Sequence, residues 1–247
     1  MDLVSVIIPY YKKKKYIINS IKSVLNQTYE NLEIIIIYDD ENQNDLDFIQ
    51  EIKKKDKRIF IIKNLKTMGA GDSRNIGINN SKGQYIAFLD ADDTWQNDKL
   101  NKQINFMKSN DYKITHTSYY IVDESQRIIG KRIARNFFRL NDLLKSCDIG
   151  TSTVILKKDL INDNVKFASL KTKEDYVLWL KLLEKNAKIY GLDEILTFWT
   201  KSRSSLSSST FQKLIDGFRV YYKYMNFNYF KSVYYLIRLS INFLLKR

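Results

Sequence analysis

Two hydrophobic periods alternate along the first hundred residues. Leu3–Ile8 is a short β-branched run closed by Pro9. In residues 14–26, Ile17, Ile18, Ile21, Val24 and Leu25 then fall on one face of a helix. Leu32–Ile37 is nearly continuously apolar, as in a strand buried on both faces. A polar helical segment follows from about Asp45 to Lys55. Arg58–Lys63 and Gln84–Leu89 read as strands, with a helix at Ser73–Asn80 between them and Gly83 near its C-terminal end. This strand-helix alternation predicts an α/β fold with an open, mostly parallel, Rossmann-like sheet covered on both faces.

The second half is less periodic. Gln96–Lys108 reads as a helix, Lys113–Val122 and Ile149–Leu156 as strands, Glu174–Glu184 as a helix and Ile189–Trp199 as an extended run. Ser202–Ser209 reads as a mobile serine-rich loop. From Phe211 to Arg247 the composition changes: eleven Phe or Tyr and seven Lys or Arg stand against one acid, Asp216. Phe230, Val233, Tyr234, Ile237, Ile241, Leu244 and Leu245 share a helical face, with Lys231, Arg238 and Asn242 on the other side. A basic amphipathic helix of this kind suits an anionic membrane surface, or a hydrophobic flank packed on the domain.

Charge and the rare residues narrow the chemistry. With 41 Lys and Arg against 28 Asp and Glu, the chain carries +13, which points to an anionic partner. One cysteine, Cys147, excludes an intramolecular disulfide and a Cys-based zinc site, and its expected place is the core. One histidine, His116, excludes a multi-His metal site and reads as structural. Any metal is therefore held mainly by oxygen, which suits Mg²⁺ or Mn²⁺. No segment reaches the roughly 18–20 apolar residues of a spanning helix, and the start lacks a signal-peptide pattern. The expectation is a cytoplasmic protein, peripheral on the inner face of the cytoplasmic membrane.

In open α/β sheets, ligands bind beyond the carboxyl ends of the strands. The residues expected there are Pro9, Tyr10 and Tyr11, then Asp39 and Asp40, then Gly69–Asn75, then Asp90-Ala91-Asp92-Asp93. Crowded carboxylates repel one another unless a cation sits among them, and a departing diphosphate needs such a cation. The same tetrapeptide also suits a solvated turn that caps a helix. Gly69–Asn75 fails the dinucleotide fingerprint, because Arg74 stands where the third glycine belongs, and no P-loop is present. Arg74 suits a phosphate or a carboxylate, or a structural role in a helix cap. Asp39 suits a uracil imide N–H, with Tyr11 or Pro9 against the base, although strand-end aspartates commonly open turns. Glu174 and Asp175 open a helix, where acids favour the dipole or where one serves as a general base. The run Lys12–Lys15 reads as a solvated helix start.

Taken together, Val4–Tyr11, Ser23–Tyr29, Glu33–Asp40, Ser73–Gly77, Gly83–Asp93 and Glu174–Trp179 closely resemble glycosyltransferase family 2, the inverting nucleotide-sugar transferases of GT-A fold. The resemblance implies a GT-A domain over residues 1–210, with a nucleotide-sugar half at 1–110, an acceptor half at 111–210 and the tail at 211–247. It places Pro9, Tyr11 and Asp39 in the nucleoside pocket, Asp90 near the ribose and metal, Asp92 on the metal and Asp175 as the base. The implied reaction moves a sugar from a UDP-type donor to a hydroxyl of a surface-glycan acceptor, such as a lipid-linked oligosaccharide, lipopolysaccharide or capsule precursor. Three positions depart from the family pattern: Lys12 replaces the usual Asn, Glu41-Asn42 replaces Gly-Ser after Asp40, and Ser202 replaces a metal-binding His. Lys201 or Arg203 then offers a direct contact to the diphosphate. The competing class is a basic protein that binds nucleic acid or membrane without catalysis. No nucleic-acid motif appears, so no nucleic-acid partner is expected.

Overall fold

The computed structural model describes residues 1–202 and 210–245. Its first half runs β1 (Val4–Tyr10), α1 (Lys14–Leu25), β2 (Leu32–Tyr38), α2 (Gln43–Lys53), β3 (Ile59–Lys63), α3 (Ala70–Asn80) and β4 (Tyr85–Phe88). The second half continues with β5 (Thr94–Trp95), α4 (Lys99–Ser109), β6 (Ile114–Val122), β7 (Ile128–Arg132), α5 (Leu140–Leu143) and β8 (Ile155–Lys157). It ends in α6 (Glu174–Glu184), β9 (Tyr190–Thr200), α7 (Thr210–Arg219), a π turn at Val220–Tyr224 and α8 (Tyr229–Leu245).

Among the described residues the strands form one nine-stranded sheet in the order β3-β2-β1-β4-β8-β6-β9-β5, with β7 paired to β6. The β3-β2-β1-β4 half is parallel throughout, as the strand-helix alternation predicts. Beyond it the sheet is mixed: β8 runs antiparallel to β4 and β6, while β9 runs parallel to β6. β2 and β4 leave β1 on opposite sides, so the strand order reverses at β1 and a crevice opens beyond the ends of β1 and β4.

Side-chain alternation sends each strand's residues to two cores. Ile7, Ile35, Ile37, Ile86 and Phe88 pack on the α6 side with Val177, Trp179 and Leu180. Val6, Ile8, Ile34, Ile36 and Ala87 pack on the other side against Ile17 and Ile21 of α1, Ile49 of α2 and Ile104 of α4.

Several expectations are corrected. Pro9 does not close β1, which continues to Tyr10 and pairs Pro9 with Ile37. β4 no longer accompanies β1 beyond Ile7, so the missing Pro9 N–H leaves no ladder bond unmade on that side. The strand expected at Ile149–Leu156 is instead a 3-10 turn at Thr151–Thr153 followed by the shorter β8. The helix expected from Gln96 starts at Lys99, because Thr94–Trp95 pairs with β9. Cys147 is exposed rather than in the core. His116 lies buried in β6, the strand expected at Lys113–Val122. The serine-rich segment 203–209, with Arg203, lies outside the described residues.

The tail packs on the body and also keeps an open apolar face. Val220, Tyr221, Met225 and Leu239 belong to the α6-side core. Tyr221 Oη donates to the Leu144 carbonyl at 2.7 Å, and Asn242 Nδ2 donates to the Lys145 carbonyl at 2.7 Å. On the opposite side of α8, Phe230, Tyr234, Ile237, Ile241, Leu244 and Leu245 are exposed. No helix among the described residues is long and apolar enough to cross a membrane.

Candidate active site

The crevice beyond β1 and β4 collects charged residues from five segments. After β4 the chain turns, and the Asp93 N–H donates to the Asp90 carbonyl at 3.0 Å. This turn gives the three carboxylates different surroundings. Asp93 is fully buried: Ser152 Oγ donates to Oδ2 at 2.5 Å and the Thr200 N–H donates to Oδ1 at 2.8 Å. Burial holds its carboxyl well above the usual range, so Asp93 fastens β4 to β9 and is withdrawn from the crevice. Asp90 and Asp92 are only partly buried and face the crevice. Burial also raises the Asp92 carboxyl, with Lys13 acting against it.

Each of these two carboxylates is met by a protein cation. Arg74 Nη2 donates to Asp90 Oδ1 at 2.6 Å, and Lys13 Nζ lies 2.7 Å from Asp92 Oδ2. Arg74 also reaches across the molecule, donating from Nη1 to Glu174 Oε1 at 2.8 Å. Its guanidinium is buried beside the Phe167 ring. The glycines before it serve packing. Gly69 adopts φ 92°, which a side chain disfavours, and a Cβ on Gly71 would lie 2.4 Å from the Ala168 carbonyl and 3.0 Å from Glu174 Cβ. The glycine segment thus lets α3 approach α6 closely enough for Arg74 to join both halves.

Glu174 and Asp175 are divided in role by this contact. Burial pushes the Glu174 carboxyl up to about 7, helped by the Asp175 charge and opposed by Arg74. Asp175 is half-buried, and its carboxylate is oriented by the Thr151 hydroxyl at 2.7 Å on Oδ2 and by the Tyr176 N–H at 2.7 Å on Oδ1. A carboxylate has four lone-pair sites, so each oxygen can still accept a proton.

At the other end of the crevice, Asp39 is buried and ties β2 to the loop before α3. Its Oδ1 accepts from Asn64 Nδ2 at 2.6 Å and the Met68 N–H at 2.8 Å, and its Oδ2 accepts from the Gly69 N–H at 2.7 Å. Oδ2, with a single donor, retains acceptor capacity. Pro9 and Tyr11, both half-buried, flank the turn after β1, where the Lys12 N–H donates to Asp40 Oδ2 at 2.9 Å. Lys201 is exposed and linked through its N–H to the Val122 carbonyl at 2.8 Å. Sequence reasoning missed Lys13, hidden in a four-lysine run, and Thr151, placed by an irregular turn. No group of three acidic, His or Cys side chains suited to a metal occurs among the described residues. The oxygen ligands on offer are Asp92 and Asp90.

A parallel β3-β2-β1-β4 half, a mixed second half and acids after β4 facing an acidic helix start make up the GT-A fold of a glycosyltransferase. Residues 5–180 match the model for glycosyl transferase family 2, and the chain belongs to that family. It is 38% identical over 215 residues to the Escherichia coli UDP-Glc:alpha-D-GlcNAc-diphosphoundecaprenol beta-1,3-glucosyltransferase WfaP, covering 87% of this chain and 84% of that one. It is 30% identical over 246 residues to the putative teichuronic acid biosynthesis glycosyltransferase TuaG of Bacillus subtilis, covering 99% and 97%. Among solved structures, S. aureus TarS in complex with UDP-GlcNAc superposes with a TM-score of 0.74 at 20% identity, over 97% of this chain and 71% of that one. The mannosyltransferase PcManGT from Pyrobaculum calidifontis, in complex with GDP-Man and Mn²⁺, gives 0.69 at 11% identity, over 91% and 64%.

Proposed function

We propose that this glycosyltransferase moves a sugar from a UDP-sugar to a hydroxyl of a lipid-linked glycan, with inversion, at the inner face of the cytoplasmic membrane. The observation that carries the reading is Arg74, which joins Asp90 after β4 to Glu174, the neighbour of Asp175 at the start of α6. The WfaP name specifies UDP-Glc and a diphosphoundecaprenol acceptor, which supports both substrate classes.

In this reading residues 1–110 take the donor, residues 111–210 take the acceptor and residues 211–247 meet the membrane. Asp39 Oδ2 accepts the uracil imide N–H, with Pro9 and Tyr11 against the base and ribose. Asp92, with Asp90, would hold Mg²⁺ or Mn²⁺, hard cations suited to carboxylate oxygens. Bound there, the metal would supply charge stabilisation to the departing diphosphate. Asp175 takes the acceptor hydroxyl proton. The acceptor oxygen forms its bond to the anomeric carbon as the bond to the diphosphate breaks, and the nucleoside diphosphate leaves with the electron pair. Glu174 is engaged by Arg74, whereas Asp175 keeps open acceptor sites, so Asp175 is the better-placed base.

The open face of α8 carries Phe230, Ile237, Ile241 and Leu244, flanked by exposed Lys231 and Arg238. This pattern suits an anionic lipid surface. The test is thermal stability with UDP, GDP, CMP or TDP and their sugars, with Mn²⁺ or with EDTA. UDP at a hundred times its dissociation constant adds about 2.7 kcal/mol, a rise of roughly 5–10 °C for a chain of this size. A rise with GDP alone overturns the donor class, and no rise with any nucleotide overturns the site.

A further inference from the structure

Asp90 and Asp92 each have a cation in contact, at 2.6 and 2.7 Å, but the two cations are held differently. Arg74 is locked: its guanidinium is forked between two carboxylates, and its side chain is 3% exposed. Lys13 is not. Its Nζ lies 2.7 Å from Asp92 Oδ2, yet it makes no well-directed hydrogen bond. The contact is a point charge beside a carboxylate. Its Nζ also lies 5.7 Å from the centre of the Tyr16 ring, while the backbone is fixed: the Lys13 carbonyl accepts from the Tyr16 N–H at 2.9 Å and the Ile17 N–H at 3.0 Å, anchoring the start of α1. The turn before it is held by Asp40 through Lys12. A four-carbon stem on a fixed base can move its ammonium several ångströms by rotamer change alone.

The pair stands at the strand-order reversal, where the donor diphosphate and its metal belong in the reading above. A divalent cation on Asp92 and an ammonium 2.7 Å from the same carboxylate compete, because like charges repel strongly where water is scarce. A nucleoside diphosphate arriving in the same crevice brings the negative charge that can receive the displaced ammonium.

We propose that Lys13 is a tethered counter-ion that occupies Asp92 in the free protein and passes to the donor diphosphate when metal and nucleotide bind. The inference rests on the proposed metal at Asp92. Lys13 neutralises a site that would otherwise hold two crowded carboxylates with one guanidinium, and it makes metal uptake depend on nucleotide. The metal alone must displace the ammonium with no new partner for it. The metal with a diphosphate exchanges one ion pair for another. Since coupling between two ligands is reciprocal, the metal strengthens nucleotide binding by the same factor.

The experiment titrates the full-length protein with Mn²⁺ alone, and with Mn²⁺ at saturating UDP, following free Mn²⁺ by its magnetic resonance signal. Wild type, Lys13→Met, Lys13→Gln and Lys13→Arg are compared, each checked for folding by its melting temperature. In the wild type, UDP tightens Mn²⁺ binding by at least about tenfold. In Lys13→Met and Lys13→Gln, Mn²⁺ alone binds about tenfold tighter than in the wild type, and the UDP enhancement shrinks by a similar factor. Lys13→Arg keeps the wild-type pattern. Two neutral variants guard against a single misfolded one. If neither neutral variant binds Mn²⁺ alone more tightly, Lys13 does not compete for Asp92 and the proposal fails. Tighter Mn²⁺ with an unchanged UDP enhancement also overturns it, because the ammonium then does not pass to the diphosphate. If UDP binds but no protein takes up Mn²⁺ in either condition, the metal at Asp92 fails and the exchange fails with it.

Discussion

Arg74 Nη1 and Glu174 Oε1 meet at 2.8 Å across a hundred residues of chain, joining the helix after β3 to the helix that carries Asp175. The bond relates the two halves of the site, because the same guanidinium holds Asp90. Removing one partner of a buried pair leaves the others desolvated and uncompensated, at roughly 3–5 kcal/mol. Arg74→Met is expected to lose stability on that scale, read as a fall in the urea midpoint with an unchanged slope. Arg74→Lys keeps the charge without the fork and is expected to fall between the two. An Arg74→Met midpoint equal to wild type would show that the bridge does not organise the site.

The Thr151 and Tyr176 contacts aim Asp175 without consuming it. In its proposed role as general base, Asp175 would contribute about 10²–10⁴-fold to transfer. Asp175→Asn is expected to lose transfer on that scale while keeping the UDP-induced rise in melting temperature. Thr151→Val leaves the carboxylate in place with one orienting bond gone, and a loss of about tenfold is expected. Both are read by rates of transfer to a lipid-linked acceptor beside nucleotide-binding shifts. Asp175→Asn that transfers at near wild-type rate would remove it as the base.

The parallel half was legible because buried strands and amphipathic helices leave different periods in Ile34–Ile37 and Ile17–Val24, and the acids after β4 follow an apolar run directly. Lys13 was not legible: four successive lysines carry no period, and which one turns inward is decided by the fixed turn at Lys12. Thr151 was hidden for a similar reason, since a 3-10 turn inside an apolar run looks like more strand. Asp93 reads like Asp92 in sequence, and only the approach of Ser152 and Thr200 separates a buried fastening from a partly exposed carboxylate. In α8 the period showed an apolar stripe correctly. Whether that stripe or the side bearing Leu239 meets the body depends on shape complementarity, which a period does not encode.

His116, the single histidine, is buried, and its Nε2 lies 2.8 Å from the Arg135 carbonyl. Burial lowers its pKa to about 4 from an ordinary value near 6.5. Between these values the unfolded chain takes up a proton that the native state refuses, so stability falls as the pH drops from 6.5 towards 4. The full loss is roughly 3 kcal/mol. Glu174 acts in the opposite sense: its carboxyl is raised to about 7, so its native state keeps a proton that the unfolded chain releases, and its contribution falls as the pH rises from 4.5 to 7. Glu174→Gln removes that opposing slope, so the melting temperature of this variant is expected to drop more steeply below pH 6.5. With one imidazole, the native titration is read directly by magnetic resonance. A midpoint near 6.5 rather than about 4 would contradict the buried, neutral ring.

The two-sided tail dictates how the proposed membrane contact must be tested. Deleting residues 211–247 would strip Tyr221 and Leu239 from the core along with the open face, so loss of membrane binding by that truncation would not separate docking from unfolding. Ile237 and Ile241 are 52% and 46% exposed on the side of α8 away from the body, so charging them leaves the packing intact. Ile237→Glu with Ile241→Glu is expected to change stability by no more than about 0.5 kcal/mol. On vesicles rich in anionic lipid, the same pair is expected to weaken sedimentation by at least about tenfold, through lost apolar burial and new repulsion of about 1 kcal/mol per charge. Replacing exposed Lys231 and Arg238 by Gln should weaken binding at low salt and leave little further salt dependence. Undiminished sedimentation of the Ile237→Glu, Ile241→Glu protein would move the membrane contact away from α8 to another basic surface of the chain.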